Sequence, residues 1–259
     1  MTGSACRRLA LVLEYDGGPF GGSQIQKNAP SIQGELEAAI HRLTGERVRV
    51  AFAGRTDAGV HAQGQVAAFT TTSRLATAVF VRGLNVSLPN EIAVTNAVET
   101  PQQFDPRRDA ASRTYRYTIY NRPVRSPLWA ACAWHVSGPL DIAAMQKAAD
   151  ALIGEHDFAA FSRKEGVRTV REVRRAVVRR EGPIVSVEME ANAYLRQQVR
   201  RTVGALVEVG TGRLSAAAFR TLLRRAQPTS AGPVAPAHGL CLVSVSYPSL
   251  DLRRRNPLS

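Results

Sequence analysis

Hydrophobic and polar positions alternate from Leu9 to Tyr15, which predicts a strand. From Ser31 to Leu43 the spacing turns helical, with Ile32, Leu36, Ile40 and Leu43 on one face. Strand spacing returns at Val48, Val50 and Phe52, and again from Gln65 to Thr71 after a glycine-flexed loop. A helix through Val79 to Leu84 and short strands near Ile92 and Tyr115 complete a mixed first half. The second half repeats the theme. Asp141 to Ile153 reads as a helix stopped by Gly154, and Arg168 to Val178 and Ile184 to Met189 read as strands. Leu195, Val199, Leu206 and Val207 mark another helix, Ser215 caps a further one carrying Phe219, Leu222 and Leu223, and Leu240 to Tyr247 closes as a strand. Strands and helices that adjoin rather than alternate one-for-one predict an α+β fold with mainly antiparallel sheet. Pro123, Pro127 and Pro139 interrupt the periodicity between Arg122 and Leu140, so the expected halves are residues 1–122 and 123–259, together one catalytic unit with a basic cleft.

Composition adds a partner class. The 259 residues are 44% hydrophobic, enough for a substantial core, and 34 Lys and Arg against 21 Asp and Glu give a net charge of +13. Most of the basic residues are arginine, whose planar fork grips two phosphate oxygens at once, so a nucleic acid partner is favoured, although genomic base composition also enriches arginine. No window approaches a membrane span and the N-terminus lacks the apolar run of a signal peptide, so the expectation is a cytoplasmic protein with no membrane association. Cys6, Cys132 and Cys241 are odd in number and far apart, and the histidines do not combine with them or with carboxylates at ligand spacing; no metal is expected. Phosphate-loop, dinucleotide and serine-hydrolase motifs are also missing from the sequence.

Two stretches carry candidate chemistry. In AGRTDAGVHA, Ala53 to Ala62, Asp57 sits in a loop that Gly54 and Gly59 can flex, two residues after Arg55. Such a carboxylate suits a nucleophile kept ionised by a neighbouring guanidinium; it equally suits an Asp-Gly turn tidied by an ion pair. In SRTYRYTIY, Arg113 and Arg116 interleave with Tyr115, Tyr117 and Tyr120, a composition that pairs phosphates and stacks bases, or that makes an ordinary strand with its aromatics in the core. The run RTVREVRRAVVRR, from Arg168, reads as a strand with a solvated basic edge.

These residues resemble the tRNA pseudouridine synthases of the TruA type, most strongly through GRTDAGVHA. EYDGGPFGGSQIQ, SIQGELEAAI, LNVSLPNEIAV, SRTYRYTIYN, GEHDFAAF, VRRTVGALVEVG and APAHGL follow in family order. The resemblance implies two similar α+β halves around a continuous, mainly antiparallel sheet flanked by helices, and a homodimer with a basic cleft for tRNA. It implies isomerisation of uridine to pseudouridine at positions 38, 39 and 40 of the anticodon stem-loop, with no cofactor. By the same resemblance Asp57 is the catalytic aspartate, Arg55 orients it and holds the target base out of its helix, Tyr115 stacks on the uracil, and Arg200 pairs with the aspartate. Arg113, Arg116, His61 and Arg196 are the further expected substrate contacts. A non-catalytic tRNA-binding or tRNA-folding protein is the alternative. The chain departs from the family pattern at Ser23, where many members have Trp, at Asp105 and Pro106 in place of a His-Ala pair, and at Gln197 and Gln198 in place of a His-Met pair.

Overall fold

A computed structural model describes residues 6–162, 166, 168–225, 227 and 230–252, with the Arg225 side chain left aside. In chain order its strands and helices are β1 (Arg7–Tyr15), α1 (Ile32–Thr44), β2 (Ala51–Phe52), β3 (His61–Thr71), α2 (Thr77–Ser87), β4 (Ile92–Thr100), β5 (Ser112–Asn121), β6 (Trp134–Val136), α3 (Ile142–Asp150), β7 (Gly154–Asp157), β8 (Val170–Glu181), β9 (Ile184–Ala191), α4 (Gln198–Gly210), α5 (Ala216–Arg225) and β10 (Leu240–Ser246). The mixture is α+β, with helices flanking mainly antiparallel sheet. Contacts divide the chain into two compact units, the first running to Ala111 and resuming at Leu242, the second spanning Ser112–Cys241. The division thus falls before β5 rather than in the proline-rich stretch, and the last strand returns the chain to the first unit.

In the first unit β1 lies between β3 and β4, antiparallel to both, with Leu11 opposite Ala67 on one side and Ala97 on the other. Leu9, Ala10 and Leu11 are all fully buried, so this strand is covered on both faces. Helix α1 buries Ile32, Leu36 and Ile40 of the stripe that its sequence spacing predicts, with Ala39 beside them, and leaves Leu43 half-buried. Ser31 caps its first turn by accepting from the Gly34 N–H at 3.1 Å, and Gly45, at φ 77°, ends it. The strand expected over Val48, Val50 and Phe52 is only Ala51–Phe52. The reason is local. The Val50 N–H donates to Glu37 Oε1 at 2.9 Å and its carbonyl accepts from Gln33 Nε2 at 3.2 Å, so side chains of α1 take the groups a longer strand would use.

In the second unit β5, β9, β8 and β7 follow one another antiparallel, and β6 adds in parallel to β5 with Ile119 opposite Trp134. Val185, Val187, Met189 and Ala191 of β9 alternate inward. Strand β7 covers β8 only from Val170 to Val173. Beyond it the arginine-rich edge meets α3, where the Gln146 side chain accepts from the Val178 N–H at 2.6 Å and donates to the Ala176 carbonyl at 3.2 Å. Helix α3 starts as expected on Asp141, whose carboxylate accepts from the Ala144 N–H at 2.9 Å. It buries Met145, Ala148 and Ala149; full burial of a side chain such as Met145 contributes about 1.5–3 kcal/mol. Phe158, Phe161 and Phe219 pack ring to ring beneath α5, with centroids 5.5–6.0 Å apart.

Helix α4 begins at Gln198, so Leu195, expected inside it, precedes it. Gln197 adopts φ 60°, a left-handed conformation that interrupts the helical run, while the Leu195 N–H donates to Gln198 Oε1 at 2.8 Å. Further along, Gly204 lies against the backbone of Pro233: a Cβ there would stand 2.0 Å from the Pro233 carbonyl oxygen. Gly204→Ala should therefore cost at least about 2 kcal/mol and lower the thermal midpoint by several degrees. Gly138→Ala, which meets nothing within 4 Å, is the control and should be near neutral in the same unfolding experiment.

Candidate functional site

The loop between β2 and β3 is built to hold Asp57 still. Asp57 is half-buried and forms an antiparallel backbone bridge with Gly22, while its carbonyl accepts from the Val60 N–H at 3.1 Å and closes a turn through Gly59, φ 77°. Gly22 has φ 119°, and a Cβ on it would lie 2.8 Å from the Thr56 carbonyl oxygen, so only glycine fits this approach. Arg55 is exposed on the same loop.

Three buried polar side chains fasten this loop: Gln65 and Tyr15, which the sequence alone did not single out, and Ser23, which it marked only as a departure from the family pattern. Gln65, fully buried near the middle of β3, accepts from the Gly54 N–H at 3.3 Å and donates to the Gly54 carbonyl at 2.8 Å. Its amide also reaches the Tyr15 hydroxyl at 3.3 Å, and that hydroxyl lies 2.9 Å from Thr56 Oγ1. Ser23 bonds the backbone of Thr56 from the other side. His61, the first residue of β3, is half-buried; its Nδ1 accepts from the Gly17 N–H at 3.1 Å and stands 3.0 Å from Asp16 Oδ1. Gly17 permits that contact, since a Cβ there would meet the Val60 carbonyl oxygen at 2.1 Å. The loop therefore rests on the turns at Asp16–Gly18 and Gly22–Ser23.

The remaining candidates belong to the second unit. Tyr115 is buried on β5 and meets Tyr194 edge-to-face at 5.2 Å. Arg113, two residues before it on the same face, is buried and donates to the Asn192 carbonyl at 2.7 Å. Arg116 alternates to the opposite face, where it pairs with Glu188 at 3.1 Å. There it lines a groove with Trp129, Arg175 and Arg179, and Arg175 shares Glu188 at 2.5 Å. Interleaving in sequence thus does not place Arg116 beside the Tyr115 ring.

Arg200 lies on the first turns of α4 and brackets Ala235, donating from Nε to its carbonyl at 2.7 Å and accepting its N–H at 3.1 Å. Next to it the Tyr117 hydroxyl donates to the Pro236 carbonyl at 2.8 Å, and Gly239 packs directly on the Tyr117 ring. APAHGL is thereby the segment that seats Tyr117 and Arg200. Burial holds the Tyr117 phenol well above its usual range, with the Arg200 charge opposing. Burial does the same to Tyr194, reinforced by Tyr115 and Glu190. Both hydroxyls stay protonated at neutral pH. Arg196 is exposed, just before the left-handed Gln197. Asp105 fills a capping role: its carboxylate accepts from the Arg107 and Arg108 N–H groups at 2.8 and 3.0 Å, which lowers its pKa against the cost of burial, and Tyr247 braces Pro106. Among the described residues no group of three or more His, Cys, Asp or Glu could hold a metal ion, and no helix is long and apolar enough to cross a membrane.

Comparison with known proteins assigns this arrangement to a class. The family profile described as tRNA pseudouridine synthase matches residues 12–108 and 148–248, which include Asp57, Arg55, His61, Arg196 and Arg200. The tRNA pseudouridine synthase A of Pelobacter propionicus is 46% identical over 243 residues, covering 93% of this chain and 100% of its own length. That of Myxococcus xanthus is 47% identical over 245 residues, 93% of this chain and 92% of its own. The chain belongs to the tRNA pseudouridine synthase family. A solved archaeal box H/ACA sRNP Nop10–Cbf5 complex aligns with 78% of this chain and 44% of its own at 14% identity, with a TM-score of 0.37.

Gln65 gives a direct test of how the loop is held. Gln65→Leu keeps the volume but strips both polar groups of Gly54 and the Tyr15 hydroxyl of a partner. It should destabilise the fold by about 2–3 kcal/mol in denaturant unfolding. An unchanged midpoint would show that the loop is held without it.

Proposed function

We propose that this chain isomerises uridine to pseudouridine at positions 38, 39 and/or 40 of the anticodon stem-loop of tRNA, with Asp57 as the nucleophile. The reading rests on one observation above the others. In a chain 46% identical to a tRNA pseudouridine synthase A across 93% of its length, the carboxylate in question sits half-buried on a loop pinned by backbone bonds on both sides. A structural Asp-Gly turn does not need that degree of support.

The chemistry needs a single acid. Asp57 attacks the ribose anomeric carbon or the uracil ring, the N1–C1′ bond breaks, the uracil turns while trapped, C5 bonds to C1′, and the bond to Asp57 breaks to return the free carboxylate. C5 then loses its proton and N1 gains one, so the product is an isomer and no oxidant, metal or nucleotide enters. A second carboxylate, which most glycosidases use to activate water, has no task here because water is kept out. By resemblance Arg55 holds the base out of its helix and orients Asp57, Tyr115 stacks on the uracil, and Arg200 pairs with the aspartate. Arg113, His61 and Arg196 are proposed tRNA contacts; Arg116, on the other face of β5, would meet a different part of the tRNA. The net charge of +13 suits a polyanion, and the proposal includes a homodimer working in the cytoplasm.

On tRNA carrying tritium at C5 of uridine, conversion releases the label. Asp57→Ala should lower that release by at least about 10³-fold. It should leave tRNA affinity the same or higher, because it removes a negative charge facing phosphate. Turnover near the wild-type rate would refute the nucleophile. For Tyr115, exchange to Phe keeps the platform and should preserve binding while slowing single-turnover conversion by on the order of 10² if the hydroxyl helps move the C5 proton. Tyr115→Ala should also lose about 1–3 kcal/mol of binding. If neither variant changes rate or affinity, Tyr115 is a core residue only.

A further inference from the structure

Asp57 is fixed through its neighbour in the chain, and the backbone of that neighbour is held by one residue. The Thr56 N–H donates to Ser23 Oγ at 2.9 Å, and the Thr56 carbonyl accepts from the Ser23 N–H at 3.1 Å, with the Ser23 hydroxyl a further 3.5 Å from the same oxygen. Both backbone polar groups of Thr56 are thus satisfied by Ser23, which is itself fully buried. Ser23 does not float. Its carbonyl accepts from the Gln33 N–H at 3.0 Å, and the Gly22 carbonyl accepts from the Ile32 N–H at 3.3 Å, so the first turn of α1 anchors the clamp. The Gly22–Asp57 bridge continues the same ladder by one residue.

We propose that Ser23 is a positioning residue for catalysis, setting the Thr56–Asp57 peptide and hence the direction in which the Asp57 carboxylate points. The inference rests on the assignment of Asp57 as nucleophile. Without the hydroxyl, the Thr56 N–H is left buried and unpaired, and the peptide must turn to find another acceptor. A nucleophile displaced by about 1 Å loses about 10²-fold in rate. Substrate affinity, spread over many phosphate contacts, should barely notice.

Ser23→Ala tests this with measurements that a merely structural residue would not separate. Single-turnover pseudouridine formation should fall about 10- to 100-fold while the Kd for tRNA holds and the protein stays folded at the assay temperature. Hydrogen exchange of the Thr56 amide should be faster in this variant than in the wild type. Ser23→Cys, which keeps the size and a weaker acceptor, should convert at an intermediate rate. A folded Ser23→Ala that converts at the wild-type rate overturns the inference, as does a loss of rate matched by an equal loss of affinity. If Ser23→Ala fails to fold, Ser23→Cys decides: slowed conversion with intact affinity supports the clamp, and either wild-type conversion or failure to fold overturns it. The two readings fail differently. Wild-type protein that forms no pseudouridine, or an active Asp57→Ala, overturns both; an active wild type, an inactive Asp57→Ala and an unaffected Ser23→Ala overturn this one alone.

Discussion

A carboxylate on a loop is useful to chemistry only if the backbone beneath it cannot wander, and here that constraint is met by close backbone approach. The Gly22–Asp57 bridge requires a residue without a side chain at φ 119°, and Gly17 meets the Val60 carbonyl under the same requirement. Around these contacts stand Ser23, Tyr15 and Gln65, each buried and each spending its polar atoms on the loop or on one another. The surrounding hydrophobic core makes these bonds firm. Buried away from water, an unpaired Thr56 amide would cost more than the bond itself contributes, so the loop has one good arrangement.

The second unit solves a related problem with aromatic rings. Tyr115 meets Tyr194 edge-to-face, Tyr117 is seated by Pro236 and Gly239, and Gly204 lets the α4 backbone press against that of Pro233. Arg200, also on α4, has its guanidinium bonded to the Ala235 carbonyl. Its place is thus set in part by backbone. On the opposite face of the same sheet the charges are arranged otherwise, with Arg116 and Arg175 sharing Glu188. Net charge is accordingly a poor guide to which arginines meet phosphate: it counts the excess of cations over carboxylates, and Arg116 and Arg175 already share one carboxylate.

Much of the fold was legible in the sequence because its cues are local. The α1 stripe of Ile32, Leu36 and Ile40, the start of α3 at Asp141 and the Ser215 cap all rest on cues within a few residues. What escaped depends on distant groups. Val48 to Phe52 has strand spacing, yet Gln33 and Glu37 of α1 claim the Val50 backbone. Gln197 breaks the run that Leu195 seemed to begin. Strand β6 is three residues long and pairs in parallel with β5, a register no local pattern announces. The site divides the same way. Asp57 and Arg55 stood out by their glycine-flexed setting, whereas Gln65 and Tyr15 looked like ordinary strand positions, and Ser23 registered only as a departure from a family pattern. Their roles appear once the chain brings residues 15, 23, 56 and 65 together.

On the proposed function this chain, acting alone, rearranges specific uridines of tRNA. The measurement that tests it most directly is nucleotide-resolution mapping of pseudouridine by mass spectrometry in unmodified tRNA incubated with the purified protein and buffer only. The account predicts pseudouridine at positions 38, 39 or 40 and nowhere else, with no free uracil released. Tightly bound tRNA that stays unmodified, or pseudouridine appearing outside the anticodon stem-loop, would contradict it.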